Sequence, residues 1–350
     1  MEIKQIAQYK GDIIKKLFGV IPNKAEIFSH QLKNKNGMEL HIIDYGATIT
    51  AIKVPSKNGK RIDVVLGFDS LDHYIRSFSL PAAPYFGAIV GRYAGRIHRG
   101  IFTLNETTYL LNKNSNGHSL HGGAKGFSRA IWKAEENIIA EGASVTFSYK
   151  SPENEEFFPG NLEVKVTYTL TESNEIKIKY QAVSDQDTPI NLTHHSYFNL
   201  DGHESDIKNQ ELFVNAKRIL ETTENIPTGR FLDLKNHPFD FQAPKKCPQA
   251  IDATFVLPQD VQPVASLFSE KNQIKMKVFT DQPAVHIYVG GNCFNILEGK
   301  EKANYHLWSG ICFETQNFPD APNHAHFPSA ILKKGETYTQ RTIYKFEMMS

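Results

Sequence analysis

The stretch that most restricts the fold is Leu162–Leu170, LEVKVTYTL, in which Leu162, Val164, Val166, Tyr168 and Leu170 alternate with polar or smaller residues. A two-residue period gathers those side chains on one face of an extended strand, and a helix would scatter them. The polar run Thr171–Asn174 follows, and Ile176, Ile178, Tyr180 and Ala182 then resume the alternation. Two such runs joined by a short polar turn form a β-hairpin with one buried face. The pattern recurs from Ile27 onward. Met38–Asp44 leads through Tyr45-Gly46 into Ala47–Pro55, a turn at Pro55–Lys60 follows, and Ile62–Leu66 resumes. Glu211–Asn215, Ile274–Phe279, Val285–Val289, Gly310–Glu314 and Tyr338–Phe346 are later strand candidates. Few segments keep a helical period. One is Gln5–Phe18, where Ile6, Ile13, Ile14 and Leu17 fit one side of a short amphipathic helix. Residues 1–22 are therefore read as an N-terminal extension, and 23–350 as a single domain without repeats or a long linker. The pattern predicts an all-β protein, a large and mostly antiparallel β-sandwich with few short helices.

Composition narrows the function. With 40% hydrophobic and 22% charged residues, the 350-residue chain can bury a sizeable core. A net charge of +1 offers no electrostatic basis for binding nucleic acid or an anionic membrane. Lysines interrupt the N-terminus before any apolar run of signal-peptide length, and no apolar run reaches the length of a membrane span. A cytoplasmic protein is expected. Cys247, Cys293 and Cys312 are far apart and form no C-x-x-C, which argues against a disulfide framework or structural zinc.

Chemistry concentrates where the strand rhythm breaks. In Ser309–Asn323, SGICFETQNFPDAPN, Ile311 and Phe313 alternate with Cys312 and Glu314 before a polar, Pro-rich loop. Glu314 is thus expected where packed strand gives way to loop, either in a rim salt bridge or beside a cleft. Gly87–Ile97, GAIVGRYAGRI, sets Arg92 and Arg96 among small and apolar residues, where at least one should be partly buried and bonded. Neither G-x-x-x-x-G-K-[ST] nor G-x-G-x-x-G occurs, so this is no phosphate loop. Asn116–Phe127, NGHSLHGGAKGF, carries His118 and His121 in a Gly-rich loop able to fold tightly around a ligand. A G-x-S-x-G elbow is absent, which removes acyl hydrolysis. In Asn191–Leu200, NLTHHSYFNL, adjacent His194 and His195 must point to opposite faces, so only one can serve a given pocket and the pair cannot share a metal. His324 and His326 have metal-like spacing without an assignable carboxylate. Asp252, in QAIDATFVL, is a cap or turn residue or an acceptor for hydroxyls.

One glutamate, a few histidines, an arginine and an aspartate suit acid–base chemistry on a neutral, hydroxyl-rich molecule. Glu314 with Asp252 could also be the carboxylate pair of a glycosidase, so on chemistry alone sugar hydrolysis competes.

The series YGATI, DVVLGFD, YFGAIVGRYAGRI, NSNGHSLHGG, NLTHHSYFNL, IPTGRFLDL with HPFDF, and ETQNFPDAPN resembles the aldose 1-epimerase (galactose mutarotase) family, from about Ile27 to Phe346. The resemblance implies a β-sandwich of the galactose mutarotase-like supersandwich type with an open cleft and neither metal nor cofactor. It implies interconversion of α and β anomers of free aldohexoses such as galactose and glucose. Glu314 matches the base that takes the C1 hydroxyl proton, and His195 the acid that protonates the ring oxygen. Arg96, His121 and Asp252 match substrate-binding positions. Opposite charges on neighbouring Glu314 and His195 should favour the ionised form of each. The partner is a small sugar, bound by a monomer or homodimer.

Departures from the family pattern bear on specificity. Gly95 stands where Asn is common, and His194 precedes the catalytic His where Asn is common. Ala253 replaces a His beside Asp252. His286 stands where Gln is frequent and is read as a substrate contact, and Ala325 and His326 replace a Pro-Asn pair. Other readings are a hexose-phosphate epimerase, which would need extra cations such as Arg76 or Arg92, a non-catalytic sugar-binding protein on the same fold, and a hydrolase.

Overall fold

A computed structural model describes residues 12–22, 24–291, 293 and 295–349. Nearly all regular structure in it is antiparallel strand, arranged in three main sheets. The first runs Asp12–Val20, Glu26–Lys33, Glu39–Ile43, Thr48–Pro55 and Arg61–Asp63 in simple meander order. The second has nine strands, and its centre is the hairpin expected from the alternation. Leu162–Thr171 pairs with Glu175–Ser184 from Leu162↔Ser184 to Leu170↔Ile176. Thr337–Met348 then lies beside Glu175–Ser184 and joins it to Ile274–Thr280. The third sheet has six strands, in the order Tyr197–Phe198, Gly310–Gln316, Ala284–Gly290, Asp252–Val256, Arg218–Thr223 and Ile226–Asp233. The α-helix Leu71–Ser77, capped by Ser70, lies between the first sheet and the site loops in sequence.

Alternation is what joins these sheets into a sandwich. One contiguous core takes Leu40, Ile49 and Ile52 from the first sheet and Val164, Val166, Met276 and Tyr344 from the second. Phe255, Ile287 and Phe313 come to it from the third. Val164, Val166, Ile287 and Phe313 are each 0–1% exposed. Burial of a large apolar side chain contributes about 1.5–3 kcal/mol, so the two-residue period is energetically enforced in the strands that face this core.

Two expectations change. Asp12–Val20 is not helical: it is an edge strand hydrogen-bonded along Glu26–Lys33, with a bulge between Leu17 and Gly19. The rest of the expected Gln5–Phe18 helix lies outside the described residues. The apolar spacing that suggested a helix instead leaves Ile14 and Leu17 at least half exposed on a strand edge. The second change is at Glu314. The strand continues to Gln316, so Glu314 sits within a fully paired and buried segment and not at its end. Among the described residues, no helix is long and apolar enough to cross a membrane.

A buried imidazole ties the first two sheets together. His30 Nε2 is 2.7 Å from Asp44 Oδ1, and its Nδ1 is 2.6 Å from Glu136 Oε1 on the edge strand Lys133–Ile139. Burial alone would depress its pKa, but the bonds and charges of the two carboxylates outweigh burial and raise it above 6.5. A raised native pKa stabilises the fold fully below the unfolded value and loses that contribution as pH rises through the native value. His30→Gln should therefore cost more stability at pH 6 than at pH 9, as measured by thermal unfolding of both proteins at each pH. An equal cost at both would show that the imidazolium contributes nothing.

Candidate active site

The outer face of the six-stranded sheet carries the functional groups. Because Ala253, Phe255, Ile287 and Phe313 point into the core, the alternate residues Asp252, Thr254, His286, Tyr288, Glu314 and Gln316 point outward. Cross-strand pairing sets Thr254 opposite His286 and His286 opposite Glu314, in one row across three strands. This row floors a cleft of about 540 Å³, whose walls include Tyr85, Arg96, Asn114, His121, His195 and Asn225.

Loop geometry delivers the remaining groups. Arg96 pairs with Leu120 in a two-residue ladder, which brings the chain after Leu120 against Gly95. His121 N donates to Gly95 O at 3.0 Å, and Gly95 N donates to His121 Nδ1 at 3.2 Å. Gly122 must be glycine here. Its φ is +83°, and a Cβ would lie 2.0 Å from Gly91 O. His195 is held through its backbone, with its N–H on Ala88 O and its carbonyl accepting from Gly87 N. Buried Asn191 then joins three site segments, donating to Ala94 O and Asn317 O and accepting from Asn317 N at 2.8 Å.

His195 Nε2 lies 3.5 Å from Glu314 Oε1, both side chains being at most 4% exposed. The expected mutual stabilisation of charge is only half of the balance at this pair. Burial is the larger influence on His195 and holds its pKa below 6.5, despite the opposing pull of Glu314. A protonated His195 is thus a stronger acid than a free imidazole. His121 is pushed well below 6.5 by burial and then by the neighbouring His195, Arg96 and His286. Burial also acts against the charge on Asp252, but its bond to His286 Nε2 at 3.1 Å and nearby positive charge prevail and lower its pKa. Its other oxygen accepts from Asn225 Nδ2 at 3.2 Å. The Arg96 guanidinium hydrogen-bonds to nothing among the described residues and is available to a ligand.

His121, His195 and Glu314 bring potential ligand atoms within 4.8 Å of one another. The hydrogen bonding favours another use. Gly95 N–H occupies the Nδ1 lone pair of His121, so neutral His121 carries its proton on Nε2 and is a donor rather than a metal ligand.

Sequence and structure agree on which residues meet. Arg96, His121, His195, Asp252, His286 and Glu314 all line the one cleft. His194 turns away into the core between Tyr168 and Tyr344, its Nε2 paired with Ser196 Oγ. Burial depresses its pKa to about 3. Arg92 is structural: it donates to Pro159 O, Gly160 O and Ser151 Oγ and is 2% exposed. Arg76 is an exposed helix residue paired with Asp72. His118 accepts from Arg99 N, and His326 donates to Gly229 O, both away from the cleft lining.

The departures sort themselves by face. Ala253 is buried in the core side of its strand, so its replacement leaves the cleft unaltered. At Gly95 an added Cβ would press on Pro319 at 3.0 Å with φ at +78°, so a larger residue would need Pro319 to shift. Sequence reasoning missed Tyr85, Asn225, Thr254, Tyr288 and Gln316, which also line the cleft. Thr254 and Gln316 carried a usable signal, since each lies two residues from a recognised carboxylate on the same strand face.

A profile of the aldose 1-epimerase family matches residues 29–345. Galactose mutarotase from Bos taurus is 38% identical over 348 residues, covering 96% of this chain and 99% of that protein. Galactose mutarotase from Homo sapiens is 36% identical over 350 residues, 97% and 99% of the respective chains. Aldose 1-epimerase from Haemophilus influenzae is 37% identical over 339 residues, 90% and 94% of the two. Among solved structures, an aldose epimerase homologue from C. elegans superposes with a TM-score of 0.83 at 28% identity, covering 97% of this chain and 100% of that one. Galactose 1-epimerase from Lactobacillus acidophilus gives 0.84 at 25% identity with the same coverage. A fold shared over its whole length, with near-complete relatives above 30% identity, means that the chain belongs to the aldose 1-epimerase family and is an isomerase with mutarotase activity.

Proposed function

We propose that the substrates are free aldohexoses such as galactose and glucose, with Glu314 as base and His195 as acid. The observation that carries this reading is the 3.5 Å approach of Glu314 Oε1 and His195 Nε2 on the cleft floor. A hemiacetal presents its C1 hydroxyl and ring oxygen on adjacent positions, so one acid and one base side by side can address both. Glu314 takes the C1 hydroxyl proton while His195 Nε2–H delivers a proton to O5. The electron pair of the C1–O5 bond leaves with O5, and C1 becomes an aldehyde. Rotation about C1–C2 presents the other carbonyl face, and the reverse transfers close the ring with inverted configuration. Each proton transfer can contribute roughly 10²–10⁴-fold.

The surround fits a neutral sugar. Arg96 and the Nε2–H of His121 are donors, and Asp252 is an acceptor. Gln316 Oε1 is a further acceptor, buried without a partner among the described residues. Arg96 is the only arginine or lysine among the described residues lining the cleft, which favours a free sugar over a hexose phosphate. Since the cleft is complete within one chain, the reading suits a monomer or a homodimer, in the cytoplasm. Residues 23–350 are read as one unit on the strength of the shared core.

The test is polarimetry of freshly dissolved α-D-galactose and α-D-glucose. Glu314→Gln and His195→Ala should each lower turnover by roughly 10²–10⁴-fold with circular dichroism unchanged. Near-normal turnover in either would remove that residue from its role. Asp252→Ala should act mainly on binding. Losing a hydrogen bond to a charged group costs about 1.5–3 kcal/mol, or roughly 10–100-fold in KM, and an unchanged KM would exclude Asp252 from the sugar contacts.

A further inference from the structure

His286 faces the cleft, yet both of its ring nitrogens already have protein partners. Nε2 lies 3.1 Å from Asp252 Oδ1, and Nδ1 lies 2.8 Å from Thr254 Oγ1. A ring bonded at both ends has no N–H left for a sugar. We propose that His286 is a positioning residue for sugar binding. Through Thr254 and Asp252 it sets how many hydrogen-bond donors the cleft floor offers, so that sugar affinity follows the protonation of its ring. The proposal rests on the assignment of this cleft as the sugar site.

The argument is one of proton counting. As an imidazolium, His286 donates from both nitrogens, so Thr254 Oγ1 accepts and its own O–H is free to turn into the cleft that Thr254 lines. As a neutral ring that keeps its Nε2–H on Asp252, it needs a proton at Nδ1, and the Thr254 O–H turns inward to supply it. Deprotonation thus removes one donor from the sugar site without moving a heavy atom. It also removes the positive charge between Asp252 and Glu314, which faces His286 from the neighbouring strand.

The titration window is separable. Burial acts against the charged ring, but Asp252 and Glu314 outweigh burial and the repulsion of Arg96, raising the His286 pKa above 6.5. His121 and His195, the other imidazoles facing it across the cleft, are both shifted below 6.5. Tyr85 and Tyr288 are raised above 10 by burial. His286 is thus shifted in the opposite direction from the other cleft imidazoles.

The experiment is the pH dependence of KM and kcat for galactose mutarotation between pH 6 and 9.5, in the wild type, His286→Gln and Thr254→Val. Glutamine can donate to Asp252 and accept from Thr254, which fixes the neutral arrangement. Wild-type KM should rise about 2–10-fold through the window, the worth of one neutral hydrogen bond. His286→Gln should show a flat KM near the wild-type alkaline value, and Thr254→Val should also be flat. A flat wild-type KM, or a rise that persists in either variant, overturns the proposal. Glu314→Gln is assayed alongside: if it is fully active, the assignment of the sugar site itself fails, whereas an inactive Glu314→Gln with a flat wild-type KM overturns the role of His286 alone.

Discussion

The register of the six-stranded sheet is the constraint on which the rest of the structure depends. Phe255, Ile287 and Phe313 are buried against the nine-stranded sheet, and that burial leaves only one face for Asp252, His286 and Glu314. A slip of one residue would place three charged groups in the core, at a cost far above the few kcal/mol by which proteins are stable. Stability and chemistry therefore select the same register. Buried polar groups hold the strand ends to that register: Thr193 Oγ1 and Gln340 Nε2 both donate to Thr315 O, and Tyr344 Oη donates to Phe313 O.

On this rigid floor the electrostatics divide the imidazoles into two kinds. Desolvation prevails at His121 and His195, which hold their protons weakly. At His286 two carboxylates prevail, and the proton is held more strongly than in water. The distinction follows from position. His286 shares a strand face with both carboxylates, directly opposite Glu314 and diagonal to Asp252, while His121 and His195 come from loops beside other cations. One cleft thus contains an imidazole that holds its proton weakly beside one that holds it strongly.

Much of this was legible in the residues. The alternation in Leu162–Leu170 and Ile176–Ala182 gave the central hairpin and its buried face, because period-2 hydrophobicity leaves one face to bury. The opposite orientation of His194 and His195 follows from the same period and is seen as one core and one cleft residue. The N-terminal segment was misread because Ile13, Ile14 and Leu17 satisfy helical spacing, whereas an edge strand needs only a neighbour to bond. Glu314 looked terminal because Gln316 and Asn317 are polar. Gln316 is nevertheless a strand residue, since its partner Ala284 and the cleft both accept it.

The sequence by itself determined the β-sandwich and singled out Glu314, His195, Arg96, His121 and Asp252, which the fold gathers in one cleft, because these depend on local period and motif order. Tertiary structure alone decided that Ala253 is irrelevant to the cleft, that Gly95 is fitted against Pro319, and that Thr254 and Asn225 complete the hold on His286 and Asp252. It also decided the balance of burial against charge at each imidazole. Those outcomes depend on which distant segments meet across a strand or a loop, and on how much water their meeting excludes. Neither quantity is encoded in the neighbours along the chain.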